Sequence, residues 1–165
     1  MLLGVSLLRP GMNMTCKMFD TNTEASAQLL YIMACCFDSI QLVKPLTSRP
    51  LNSEKYFVGL GRRGLEGDSP EISSYLNIMK DAIGGYDAGE YLNNLFQEKL
   101  PDDFTDWLRR HNDLFCQMQL DASVPVLDIL EGREPKLLTY DTHRALAIMG
   151  MPGNTIPRNS RIKLY

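Results

Sequence analysis

Lys17 and Glu54 are the residues whose types and placement best suit proton chemistry. Lys17 stands near the end of an extended segment, among Met14, Cys16, Met18 and Phe19. Apolar surroundings desolvate an ammonium, lower its pKa and make a lysine a usable base. Glu54 opens a later extended segment, 37 positions further along. A carboxylate next to such a lysine is a structural ion pair at a sheet edge or a candidate reacting pair.

Other chemistry-bearing residues carry weaker signals. His111 and His143 lie in helical contexts and suit surface or capping roles. Trp107, at helical spacing from Phe104, suits a core better than a base-stacking platform. Gly84-Gly85 lacks the preceding strand and following helix of a phosphate loop. Cys16, Cys35, Cys36 and Cys116 form no CxxC pair and have no histidine at ligand spacing. They read as buried thiols rather than a metal or redox site, so no metal is expected, and the compartment implied is reducing, cytosol or nucleus.

The elements that must hold Lys17 and Glu54 follow from periodicity. Leu2 to Leu8 reads as the tail of a helix, stopped by Pro10-Gly11. Asn13 to Phe19 alternates as a strand, with Met12, Met14, Cys16 and Met18 on one face. Thr21-Asn22-Thr23-Glu24 reads as a capping box. The helix after it sets Ala25, Leu29, Ile32, Met33, Cys36 and Phe37 on one side. Ser39 to Val43 and Lys55 to Leu60 read as two more strands.

Strand, helix, strand is a βαβ unit, which predicts a parallel first pair. The loop from Pro45 to Glu54 suits a hairpin-like return, so the third strand runs antiparallel and ends the sheet. Sites in open α/β sheets form beyond the carboxyl ends of the parallel strands. Lys17 lies at such an end, and an antiparallel strand beginning there brings Glu54 to face it.

Beyond Gly61 to Asp68 the composition changes. Glu71 to Ile83 and Tyr91 to Leu100 read as helices, interrupted at Gly84-Gly85 and Gly89. Asp102-Asp103-Phe104 opens a longer helix whose core side is Phe104, Trp107, Leu108, Leu114 and Phe115. Val124 to Leu130 and Thr142 to Met149 are further helical segments, and 154–165 reads as an irregular basic tail. Two domains result: 1–63, and a mainly helical appendage with its tail, 64–165.

The 165-residue chain is slightly acidic, with net charge -3, which argues against a general nucleic-acid binder. Its charge is uneven. Between Lys44 and Arg63 stand five basic residues and one acidic, whereas 64–134 holds five basic and fifteen acidic. A short basic stretch inside an acidic protein fits a local phosphate-contacting surface, or a solvated hairpin. No window reaches the roughly 18 apolar residues of a membrane span.

Two motifs carry a resemblance. The run Lys44-Pro45-Leu46-Thr47-Ser48-Arg49-Pro50-Leu51-Asn52-Ser53-Glu54-Lys55-Tyr56, preceded by Cys16-Lys17-Met18-Phe19-Asp20 and a capped helix, resembles the FtsJ-like RNA ribose 2′-O-methyltransferases. Asp103-Phe104-Thr105-Asp106-Trp107 with Arg110 and Asn112, and later Met149-Gly150-Met151-Pro152, resemble the branch acting on mRNA caps.

The resemblance implies a Rossmann-like α/β methyltransferase sheet and S-adenosyl-L-methionine-dependent methyl transfer to the ribose 2′-hydroxyl of the first nucleotide of capped mRNA. Lys17 would be the catalytic lysine of a Lys-Asp-Lys-Glu tetrad, and Glu54 the glutamate that orients it. Asn52 would contact the capped RNA. Arg49, Ser48 and Lys44 would support the loop or meet phosphates. Capped mRNA would be the partner, with transcription or RNA-processing machinery beside it, in the nucleus or else the cytoplasm.

This chain departs from the family in holding no counterpart of its glycine-containing donor loop, of the tetrad's first lysine or of the tetrad's aspartate at the end of a fourth strand. The reading is therefore the C-terminal part of such an enzyme, with the S-adenosyl-L-methionine site upstream, the chain alone inactive, and the free edge of the Lys17 strand exposed. The alternative is a catalytically inactive RNA-binding or assembly module of the same descent.

Overall fold

The computed structural model describes residues 1–45, 48–49, 51–64, 70–87, 89 and 92–135. Seven elements appear in chain order: α1 (Leu2–Leu7), β1 (Met14–Met18), α2 (Glu24–Cys35), β2 (Phe37–Val43), β3 (Lys55–Arg62), α3 (Pro70–Asp87) and α4 (Asp102–Leu130). The chain divides into two compact units, Met1–Asp121 and Ala122–Tyr165. The sequence boundary after Arg63 falls within the first.

The sheet corrects one expectation. Its order is β1-β3-β2, and both pairings are antiparallel. β1 and β2 do not pair with each other, and the antiparallel strand stands between them rather than at the end of the sheet. β3 has the burial of a central strand, with Lys55, Phe57, Gly59 and Arg62 buried. β1, by contrast, alternates between exposed and half-buried positions. On the other face of β3, Tyr56, Val58 and Leu60 are half-buried.

The core joins sheet and helices through Leu30, Ile32, Met33, Phe37, Leu42 and Phe57. Phe37 and Phe57 meet edge-on, with ring centroids 5.8 Å apart. Gly59 lets that pair close on the sheet, because a Cβ there would lie 2.7 Å from the Phe37 ring. Buried Arg62 ties α1 to the sheet. Its Nε donates to the carbonyl of Val5 at 2.8 Å, and its main chain exchanges hydrogen bonds with Gly11 and Met12.

Element boundaries shift for local reasons. The capping box at the start of α2 is Thr23 with Ser26, not Thr21 with Glu24. The Thr21 hydroxyl is instead engaged with Asn112. Phe37 belongs to β2, not to the helix, and β3 runs two residues beyond Leu60. α3 continues through Gly84-Gly85. Two glycines cost a helix about 2 kcal/mol, and the burial of Ile72, Leu76 and Met79 outweighs it.

The expected helix from Tyr91 to Leu100 does not form over 92–100. That stretch is held by the side chain of Gln28, which is only 2% exposed. Its Oε1 accepts from the amides of Leu95 (2.5 Å) and Phe96 (3.2 Å), and its Nε2 donates to the Phe96 carbonyl (2.9 Å). α4 is one helix that absorbs Val124 to Leu130 and carries Pro125 within it. Leu108 and Phe115 are buried as expected, whereas Leu114 is exposed. The segment Thr142 to Met149, His143, the run Met149 to Pro152 and the basic tail lie outside the described residues.

Candidate active site

Antiparallel pairing puts Lys17 directly opposite Tyr56. Opposed residues of a pair share one face, and a residue two positions along shares it too. Lys17, Tyr56 and Glu54 therefore project to the same side. Lys17 Nζ lies 2.7 Å from Glu54 Oε2, and the Tyr56 hydroxyl donates to Glu54 Oε1 at 3.1 Å. Both carboxylate oxygens are engaged.

The electrostatics correct the reading of Lys17 as a desolvated base. Its side chain is 49% exposed. The hydrogen bond with Glu54 outweighs burial and holds its pKa above the ordinary lysine value. The same bond, helped by Tyr56, outweighs burial at Glu54 and holds that carboxyl below its ordinary range. At neutral pH the pair is ammonium and carboxylate. The ammonium can donate to an oxygen and stabilise negative charge developing there; it accepts a proton only after losing its own.

The loop that delivers Glu54 is held from inside. Lys44 Nζ donates to the carbonyl of Glu54 at 3.0 Å and to the carbonyl of Asn52. Burial pushes the Lys44 pKa down, and the Glu54 charge opposes that shift. Asn52 Oδ1 accepts from the Glu54 amide at 3.0 Å, a two-residue Asx turn that sets the entry into β3. Ser48 and Arg49 belong to the turns before it, with Ser48 N donating to the Pro45 carbonyl and Arg49 O accepting from Asn52 N.

The structure thus brings together Lys17, Glu54, Asn52 and Lys44. Lys44 works as a strut under the loop, with its ammonium turned onto main-chain carbonyls. Ser48 Oγ is buried without a hydrogen-bond partner among the described residues, and Arg49 is exposed.

Tyr56 was quoted in the loop motif without a role. Its signal was its place two residues after Glu54 at the start of a strand. Lys55, 4% exposed, was also missed: its Nζ lies 5.0 Å from the centroid of the Phe115 ring. Nothing local in the sequence marks that contact, because Phe115 is on α4.

His111 Nδ1 lies 2.8 Å from the Trp107 carbonyl one helical turn earlier, and its ring is 4.4 Å from that of Trp107. Trp107 belongs to a row of rings with Phe104, Tyr31, Tyr75 and Phe96. Within it, burial pushes the Tyr31 hydroxyl up to about 12. Among the described residues no three metal-binding side chains cluster, and no helix is long and apolar enough to cross a membrane.

Residues 1–62 match the FtsJ-like methyltransferase family. The chain is similar to cap-specific mRNA (nucleoside-2′-O-)-methyltransferase 1 of several animals. It is 36% identical over 125 residues to that of Ailuropoda melanoleuca, and 35% identical over 125 residues to that of Homo sapiens. Each match covers 73% of this chain and 15% of the relative. The match to the protein of Caenorhabditis elegans is 35% over 106 residues, covering 64% of this chain and 10% of the relative.

Proposed function

Because residues 1–62 belong to the FtsJ-like methyltransferase family, we propose that this chain supplies the proton-handling side of a cap-specific mRNA ribose 2′-O-methyltransferase. The substrate is the 2′-hydroxyl of the first nucleotide of capped mRNA. The observation that carries the reading is the Lys17–Glu54 contact at 2.7 Å, on a strand face reached by the Asn52 turn.

A ribose hydroxyl is too weak an acid to ionise unaided at neutral pH. Lys17, kept as an ammonium by Glu54, donates to that oxygen and stabilises the charge that builds there, and as the new O–C bond forms the hydroxyl proton leaves to bulk water. Glu54 fixes the ammonium in place, and Tyr56 fixes Glu54. Asn52 meets the RNA beside the reacting ribose. Exposed Arg49 meets phosphate, while Lys44 and Ser48 hold the loop.

The methyl donor of the reading is S-adenosyl-L-methionine. The turns after β1 (residues 19–23) and after β2 (44–54) contain no glycine on which to cradle a nucleotide. No step is therefore assigned to donor-binding residues among those described. The substrate class carries with it a nuclear place of action, with the cytoplasm as alternative, and RNA-processing or transcription machinery as partners.

The test is methyl transfer to a capped RNA by the intact protein and by its Lys17→Ala and Glu54→Gln variants. Loss of transfer in Lys17→Ala with donor binding retained is expected. Near-normal turnover in that variant removes Lys17 from the chemistry. RNA binding without any transfer by the unmodified protein favours an inactive RNA-binding module.

A further inference from the structure

The Lys17–Glu54 pair stands on two chain segments, and α4 touches both. Thr21, four residues past Lys17 and 1% exposed, exchanges two hydrogen bonds with Asn112 of α4. Its hydroxyl donates to Asn112 Oδ1 at 2.6 Å, and Asn112 Nδ2 donates to its carbonyl at 3.2 Å. Lys55, immediately after Glu54, points its ammonium onto Phe115, three residues further along the same helix. Positions i and i+3 lie on one side of a helix, so Asn112 and Phe115 form one contact surface. Gln119, a turn beyond Phe115, faces Asn52, Ser53 and Glu54 across a narrow crevice. α4 lies wholly beyond residues 1–62, the part that matches the family.

We propose that α4 is a positioning element for the candidate active site, with Asn112 holding the exit of β1 and Phe115 holding the entry of β3 so that Lys17 and Glu54 stay in contact. The inference rests on the reading of Lys17 and Glu54 as the reacting pair only for its effect on rate. The geometric effect is independent of that reading. Lys55 and Thr21 are both nearly inaccessible to solvent. A buried ammonium over a ring face and a buried threonine bonded twice to one side-chain amide each define a single geometry. A displacement of about 1 Å at a reacting group can cost a hundredfold in rate, so two fixed stems are a means of control.

The experiment follows the Lys17 side-chain resonance of the intact protein by NMR across alkaline pH, together with methyl transfer to capped RNA. The variants are Asn112→Ala, Phe115→Leu and the ring-preserving Phe115→Tyr. In Asn112→Ala and Phe115→Leu the Lys17 titration falls toward its ordinary value, and kcat falls roughly tenfold with KM for the donor unchanged. Phe115→Tyr stays near the unmodified protein in both readouts. An unchanged Lys17 titration in folded Asn112→Ala and Phe115→Leu overturns the proposal. If the unmodified protein transfers no methyl group, the functional reading fails, and the NMR titration alone still decides the role of α4.

Discussion

Lys17 and Glu54 meet at 2.7 Å because Tyr56, and not Glu54, is the register partner of Lys17. The carboxylate reaches the ammonium along the diagonal of an antiparallel pair, which leaves the position directly opposite to Tyr56. The tyrosine then donates to the second carboxylate oxygen. Three side chains on one face make the pair more directional than two long side chains meeting across solvent.

The pair titrates at both ends of the pH range. Lys17 has a folded-state pKa raised above its ordinary 10.5, so its contribution is complete below that value and is lost as pH rises through the raised pKa. Glu54 is lowered below its ordinary 4.5, so its contribution is complete above that value and is lost as pH falls through the lowered pKa. Between these limits the contribution is flat. The check is the difference in urea midpoint between the unmodified protein and Lys17→Met. It should be constant from pH 5 to pH 9 and shrink toward either extreme. A difference that changes steadily across neutrality would mean that Lys17 titrates there.

Lys44→Met removes the strut under the loop. Two carbonyls, those of Asn52 and Glu54, lose a charged donor. Hydrogen bonds to charged groups contribute about 2 kcal/mol, and a loss of that order should appear in equilibrium urea unfolding. On the proposed function, methyl transfer should fall more than stability suggests, because the turn leading Glu54 into β3 then keeps only its Asn52 hydrogen bond. Equal stability in Lys44→Met and the unmodified protein would reassign Lys44 to solvent or RNA.

The order of elements in residues 1–62, and the meeting of a lysine with a glutamate, were legible in the sequence. Apolar runs, the proline-bearing loop and strand directions were enough. Strand order was not, because a hairpin-like return sets the direction of a strand and not which strands it lies between. The charge state of Lys17 was misjudged because apolar sequence neighbours are not spatial ones: alternate strand residues point to opposite faces, leaving Lys17 half exposed. Residues 92–100 read as a helix because Leu92, Leu95 and Phe96 have helical spacing. The main-chain groups of Leu95 and Phe96 bond instead to Gln28, more than 60 positions away, and no local pattern announces such a partner.

Gln28→Leu tests that arrangement. The substitution keeps the volume approximately and leaves the amides of Leu95 and Phe96 without their acceptor. Buried groups left unsatisfied cost about 1–3 kcal/mol each, so a loss of about 3 kcal/mol is expected. Amide hydrogen exchange at Leu95 and Phe96 should accelerate far more than exchange in β3. Uniform acceleration would indicate that Gln28 supports the fold as a whole and not the 92–100 segment.

Gly59→Ala probes the packing beneath the site. An added Cβ meets the Phe37 ring at 2.7 Å from its nearest atom, and Phe37 is fully buried. The ring has little room to retreat, because Phe57 stands edge-on to it at 5.8 Å between centroids. Overpacking of this kind costs about 1–3 kcal/mol. The double variant Gly59→Ala with Phe37→Leu removes the clash at its source, so its stability should exceed the sum of the two single effects. Gly59 is also the register partner of Met14, at the far end of β1 from Lys17. A strain confined to that end should leave the Lys17–Glu54 titration where it was. Additive effects in the double variant would show that the ring and the glycine do not compete for one space.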